Sequence, residues 1–104
     1  MTKNAMRPVP PGEILNEEFL KPSGLTANAL AKAIGVPANR ITAILKAQRG
    51  VTGDTALRLG AFFGTTADLW LNLQKSYELR LAEKAMGRQV LKTIEKRRAE
   101  IVPQ

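Results

Sequence analysis

The sequence predicts an all-α domain of five helices followed by a helical C-terminal extension. Three observations predict it. Apolar residues recur at intervals of three and four rather than in alternation. Threonine or proline stands ahead of the successive runs, and glycine follows most of them. The β-branched residues fall at caps or at helical spacing, so no strand pattern survives.

Each helix follows from its own punctuation. Pro8, Pro10, Pro11 and Gly12 exclude a helix before position 11. Proline nevertheless suits a first helical position, where its missing N–H had no partner to lose. A helix over 11–20 then turns Ile14, Leu15, Phe19 and Leu20 inward. Glu13, Glu17 and Glu18 take the outer face, where the positive N-terminal half of the helix dipole favours acid. Lys21-Pro22-Ser23-Gly24 is expected to end it. Thr26 caps a second helix over 27–34 with Leu30, Ala31 and Ile34 buried, and Gly35 stops it. Pro37 opens a third over 37–46, carrying Ile41, Ile44 and Leu45. Thr52 caps a fourth, from Gly53 to the stop at Gly64, with Ala56, Leu57, Leu59, Phe62 and Phe63 as its buried stripe. Thr66 caps a fifth, which carries Leu69, Trp70, Leu73 and Tyr77 and extends past Leu81, weakened at Gly87. The expected organisation is a disordered segment at 1–7, a domain at 8–83 and a basic helical tail at 84–104.

Composition limits the chemistry. The 104 residues are one domain's worth, and they include no cysteine and no histidine. Disulfide frameworks, thiol nucleophiles, Cys/His zinc sites and histidine general bases are therefore excluded. The nine carboxylates show no metal-ligand spacing, and no phosphate-cradling glycine loop occurs. The chain is expected to be no enzyme and to need no cofactor. It has no long apolar run and no secretory pattern at Met1-Thr2-Lys3-Asn4-Ala5, so a cytoplasmic protein without membrane contact is expected.

The net charge of +7 is unevenly spread. Residues 26–58 carry Lys32, Arg40, Lys46, Arg49 and Arg58 against Asp54 alone, and residues 88–104 carry five bases against two acids. Charge balances in the two stretches between and before them. Clustering of this kind suits neutralisation of phosphates. The first basic stretch also contains two short helices joined by a tight turn carrying glycine, which is the sequence form of a helix-turn-helix. At about 100° per residue, Pro37, Ile41, Ile44, Leu45 and Gln48 gather on one side of the third helix and Asn39, Ala43 and Lys46 on the other, with Arg40 and Thr42 flanking. A small, polar outer face permits close approach to a major groove, where asparagine and arginine can pair with adenine and guanine edges.

The run Leu25-Thr26-Ala27-Asn28-Ala29-Leu30-Ala31-Lys32-Ala33-Ile34-Gly35-Val36-Pro37-Ala38-Asn39-Arg40-Ile41-Thr42-Ala43-Ile44-Leu45 resembles the five-helix DNA-binding domain of phage-repressor (Cro/C1, XRE) type. More narrowly, the chain resembles the HigA-type antitoxins of type II toxin–antitoxin systems, also called virulence-associated protein I. The residues that carry this likeness are Met6-Arg7-Pro8-Val9-Pro10-Pro11-Gly12-Glu13-Ile14-Leu15, Val36-Pro37-Ala38-Asn39-Arg40-Ile41, Asp54-Thr55-Ala56-Leu57-Arg58-Leu59, Phe63-Gly64-Thr65 and Trp70-Leu71-Asn72-Leu73-Gln74. The likeness covers residues 6–81. It departs from the pattern at Ala27, where repressors of this type often carry a phosphate-contacting glutamine, and at Pro10, where histidine is common.

The resemblance implies a homodimer that binds a palindromic operator ahead of its own gene pair, represses it, and neutralises a small RelE-like ribonuclease toxin. By matching position it assigns base reading to Ala38, Asn39, Arg40, Thr42 and Ala43. Arg40, on the flank, can reach either a base or a phosphate. Thr26, Asn28, Lys32, Lys46 and Arg49 are expected at the phosphate backbone, with Thr26 a helix cap first. Trp70, Leu73 and Tyr77 are read either as core closing the bundle or as part of a dimer seam. Two other readings compete: a stand-alone phage-repressor-type regulator without a toxin partner, and an adaptor that binds protein rather than DNA.

Overall fold

A computed structural model describes residues 7–102, all of whose regular structure is helical. Six helices follow one another: α1 (11–23), α2 (Ala27–Ile34), α3 (Ala38–Leu45), α4 (Gly53–Phe63), α5 (Ala67–Met86) and α6 (Arg88–Ile101). The expected disordered segment at 1–7 lies outside the described residues except for Arg7, whose guanidinium pairs with Glu13 at 2.7 Å.

α1 continues through Pro22, beyond the expected stop. After an α-helical turn at Pro11–Ile14, the helix widens into a π-helical stretch at Leu15–Leu20 and closes with Lys21–Ser23. A wider turn ahead of Pro22 moves the carbonyl four residues back away from the proline ring, the clash that ends an ordinary α-helix. Ser23 then donates through its hydroxyl to the Phe19 carbonyl at 2.7 Å. Gly24, at φ 68°, makes the stop.

Threonine caps work at two of the three expected places. Thr26 Oγ1 accepts from the Ala29 amide and Thr66 Oγ1 from the Leu69 amide, each at 3.1 Å. Thr52 occupies the cap position of α4, but its hydroxyl faces Thr55 instead of a backbone N–H. Pro37 is likewise a cap, in extended conformation, and α3 begins one residue later than expected. Gly87 divides the long last helix into α5 and α6.

The core joins α1 through the first turn of α5. Leu15, Leu30, Ile41, Ile44, Leu59 and Trp70 are its large fully buried residues. Phe19, Phe63 and Trp70 stack around one point, with ring centroids 4.8 Å apart for Phe19–Phe63 and 5.0 Å for Phe19–Trp70. The buried stripe of α4 is Thr55, Ala56, Leu59 and Gly60. Leu57 (67% exposed) and Phe62 (43%) lie outside it, contrary to the periodicity reading. α4 packs on α2 and α5, with Phe63 against Phe19 of α1, and its buried arc is narrower than its apolar residues would fill.

The second half of α5 and the whole of α6 leave the bundle. α6 buries no residue, and Leu79, Leu81, Met86, Val90, Leu91 and Ile94 are exposed. The molecule measures 55 × 27 × 22 Å with a radius of gyration of 17.6 Å, against about 13 Å for a compact chain of this length. No helix among the described residues is long and apolar enough to cross a membrane.

Candidate nucleic-acid interface

The turn between α2 and α3 is set by Gly35. Its φ of 74° reverses the chain, and the amide of Val36 returns to the Ala31 carbonyl at 3.0 Å. Val36 is buried beneath the turn. α3 is then held from below by Ile41 and Ile44, both essentially without exposure. Two further elements anchor its C-terminal end. Gly12 of α1 lies against the backbone of Ile44 and Leu45, with no room for a side chain. Beyond α3, the Val51 amide donates to Gln74 Oε1 of α5 at 2.9 Å, which ties down the loop that carries Arg49.

This frame leaves Ala38 and Asn39 exposed on α3 and Lys46 exposed at its C-cap, with Thr42 and Ala43 half-buried between them. Thr42 Oγ1 donates to the Asn39 carbonyl at 3.3 Å. Asn28 and Lys32 of α2 and Arg49 beyond α3 are exposed. Thr26 is exposed, with its oxygen committed to the α2 cap. Pro37 and Gln48, placed on the inner side by the helical wheel, are both exposed. They lie just outside the helix, where its periodicity no longer applies.

Arg40 is the residue whose surroundings the sequence left open. Its side chain is only 25% exposed, and its Nη1 donates to Asp54 Oδ2 at 2.7 Å. The same oxygen accepts from Arg58 Nε at 3.1 Å, and Arg58 Nη1 donates to the Ile34 carbonyl at 2.8 Å. Arg58 thus satisfies a free carbonyl at the end of α2, where a cation also suits the helix dipole. The two guanidiniums, Arg40 first and then Arg58, hold the Asp54 carboxyl below its ordinary range. Asp54 and Arg58 were not among the expected site residues. Their signal was present: Asp54 is the only acid in 26–58, and Arg58 stands four residues after it.

The apolar trio of α5 divides. Trp70 has no exposed surface, and its Nε1 donates to Thr65 Oγ1 at 2.9 Å, so it closes the core. Leu73 and Tyr77 instead line a surface groove with Val9 and Ile14. Among the described residues, no three His, Cys, Asp or Glu side chains gather as a metal site.

Residues 17–70 match the helix-turn-helix family. The chain is 57% identical over 81 residues to virulence-associated protein I of Dichelobacter nodosus, covering 78% of this chain and 75% of that one. It is 42% identical over 80 residues to antitoxin HigA-1 of Vibrio cholerae, covering 76% and 74%. Its structure is similar to that of the Pseudomonas aeruginosa antitoxin HigA with the higBA promoter. There the TM-score is 0.78 at 45% identity, over 81% of this chain and 91% of that one. The chain therefore belongs to the helix-turn-helix family and, within it, to the group formed by the HigA antitoxins and virulence-associated protein I.

Proposed function

We propose that this protein is an antitoxin that represses its own gene pair, binding operator DNA as a two-fold dimer and neutralising a RelE-like ribonuclease toxin. One observation carries the DNA half of this reading. The face made by α2, α3 and the following loop exposes Lys32, Asn39, Lys46 and Arg49, and the single acid nearby is engaged by two arginines. The P. aeruginosa antitoxin HigA that the chain is similar to was solved with the higBA promoter, which supports DNA binding as the role of this protein.

On this reading α3 enters the major groove. Ala38, Thr42 and Ala43 keep its approach close, and Asn39 pairs with an adenine edge. Arg40 serves as a base reader from the flank. Lys32, Lys46, Arg49 and Asn28 hold the phosphates, which fix register without reading sequence. Thr26 borders that phosphate track while capping α2. One short helix reads only a few base pairs, so a two-fold pair spanning half-sites about 34 Å apart supplies the remaining specificity. Leu73 and Tyr77, in their surface groove, are placed at the dimer seam, with Trp70 supporting them from the core. The protein acts by binding, in the cytoplasm, without cofactor or catalysis.

The test is a gel shift with the DNA upstream of its own reading frame, alone and after co-purification with the products of adjacent frames. The expected outcome is a shifted upstream fragment and a small co-purifying partner whose ribonuclease activity the complex suppresses. Operator binding that survives both Asn39→Ala and Arg40→Ala unchanged overturns the assignment of α3. Binding of DNA with no protein partner leaves a stand-alone regulator, and a partner with no DNA binding leaves an adaptor.

A further inference from the structure

We infer that Asp54 is a specificity-determining residue: by pairing with Arg40 it withholds that charge from the DNA backbone while leaving the side chain available to a base edge. The inference rests on the DNA-binding reading above and concerns how the same face discriminates between sequences.

Arg40 leaves α3 at its third residue and turns toward α4, where the Asp54 carboxylate sits at 2.7 Å. The pair is not free to drift, because the same carboxylate oxygen is held by Arg58, itself anchored on the end of α2 at the Ile34 carbonyl. Arg40 Nε is buried without a partner, so the side chain has accepted a polar cost to lie in this pose. Ion pairs with exposed members contribute little to folding, and Asp54's side chain is 56% exposed. Stability alone is therefore a weak reason for the arrangement.

Its effect on DNA binding is larger, because phosphates and bases ask different things of an arginine. A phosphate attracts the whole positive charge, and each one neutralised releases counterions whatever the sequence. With Asp54 attached, that charge is offset in part, one carboxylate serving two guanidiniums, and moving it to a phosphate either breaks the 2.7 Å pair or brings a carboxylate toward the duplex. A guanine edge is neutral and asks for directed N–H donors. Among the described residues, Arg40 Nη2 makes no hydrogen bond to the protein, so it can donate to a base while Nη1 stays on Asp54. Asp54 thus weakens the sequence-independent term and spares the sequence-dependent one.

The experiment compares the wild type, Asp54→Asn, Arg40→Gln, the double variant and Asp68→Asn as a control of equal charge change. Affinity is measured for the upstream DNA and for an unrelated duplex of equal length over a range of salt. For Asp54→Asn, affinity for the unrelated duplex is expected to rise about tenfold and its salt slope to steepen by about 0.9, with upstream affinity changed by about threefold at most. Asp68→Asn, in the first turn of α5, is expected to move neither affinity by more than about twofold. The double variant should return unrelated-duplex binding to the Arg40→Gln level. Arg40→Gln alone, which leaves Asp54 with Arg58, is expected to weaken upstream binding while unrelated binding stays within about twofold.

That last result does not require Asp54→Asn to fold. An unchanged specificity ratio in Asp54→Asn, a gain that persists without Arg40, or an Arg40→Gln loss equal on both duplexes overturns the role of Asp54. A wild type that prefers neither duplex overturns the DNA-binding reading, and this inference with it.

Discussion

Gly12 presses against the backbone of Ile44, so closely that a Cβ on the glycine would overlap the Ile44 carbonyl and stand 2.9 Å from the Leu45 Cα. The first turn of α1 thereby braces the last turn of α3. The obstacle is backbone on both sides, so no side-chain rotation relieves it. Gly12→Ala is expected to destabilise the fold by about 1–3 kcal/mol through overpacking. Thermal melting should show a lower midpoint, and upstream DNA affinity should fall with it because the end of α3 is displaced.

Trp70 offers a second test of the core. Its buried Nε1 has Thr65 Oγ1 as partner at 2.9 Å. Thr65→Val removes the acceptor and strands the indole N–H, at an expected cost of about 1–3 kcal/mol. Adding Trp70→Phe, which removes the stranded donor, should cost less in the Thr65→Val background than in the wild type. Denaturant titrations of the four proteins measure this coupling.

On the proposed interface, Lys46 and Arg49 differ from Asn39 in kind. Lys46→Ala or Arg49→Ala is expected to weaken binding to upstream and unrelated DNA alike, and to lower the salt slope by about 0.9 each. Asn39→Ala should instead cost about 1–3 kcal/mol on the upstream DNA alone. Equal losses on both duplexes from Asn39→Ala would remove it from the base-reading set.

Acid should loosen the chain through the paired Asp54 and Glu13 carboxylates. The Asp54 carboxyl is held low chiefly by hydrogen bonding from Arg40, and the Glu13 carboxyl by Arg7. Both bind protons less readily in the folded chain than in the unfolded one, so their contribution is complete above the ordinary carboxylate range. It is lost as pH falls through the lowered values. Both groups are solvent-accessible, so the effect should be small and weaken with salt. Melting midpoints measured from neutral to strongly acid pH should fall less in Asp54→Asn than in the wild type.

We expect the domain boundary near residue 84 to be real in energetic terms. α6 buries no residue. A chain ending before Arg88 should therefore melt within a few degrees of the full protein, a shift corresponding to less than about 1 kcal/mol. A large loss would show that α6 supports the bundle.

Much of this architecture was legible because it is local. Thr26, Thr66, Gly24, Gly35 and Gly64 act on the residues beside them, and their helices begin and end where such residues place them. The misreadings arise where a residue's own preference is overridden by its surroundings. Pro22 stays helical because six preceding residues widen into a π-helical stretch, and Leu57 and Phe62 are exposed because they fall outside the arc of α4 that packing buries.

The division is clearest on the recognition face. That a small, polar, acid-poor helix follows a glycine turn can be read from local sequence, since periodicity and charge are properties of neighbouring residues. Where Arg40 goes depends on helix packing. Its partner lies fourteen residues away on another helix, and Arg58 reaches back across twenty-four to the end of α2. Distances of that kind are set by how helices pack, which no local pattern encodes.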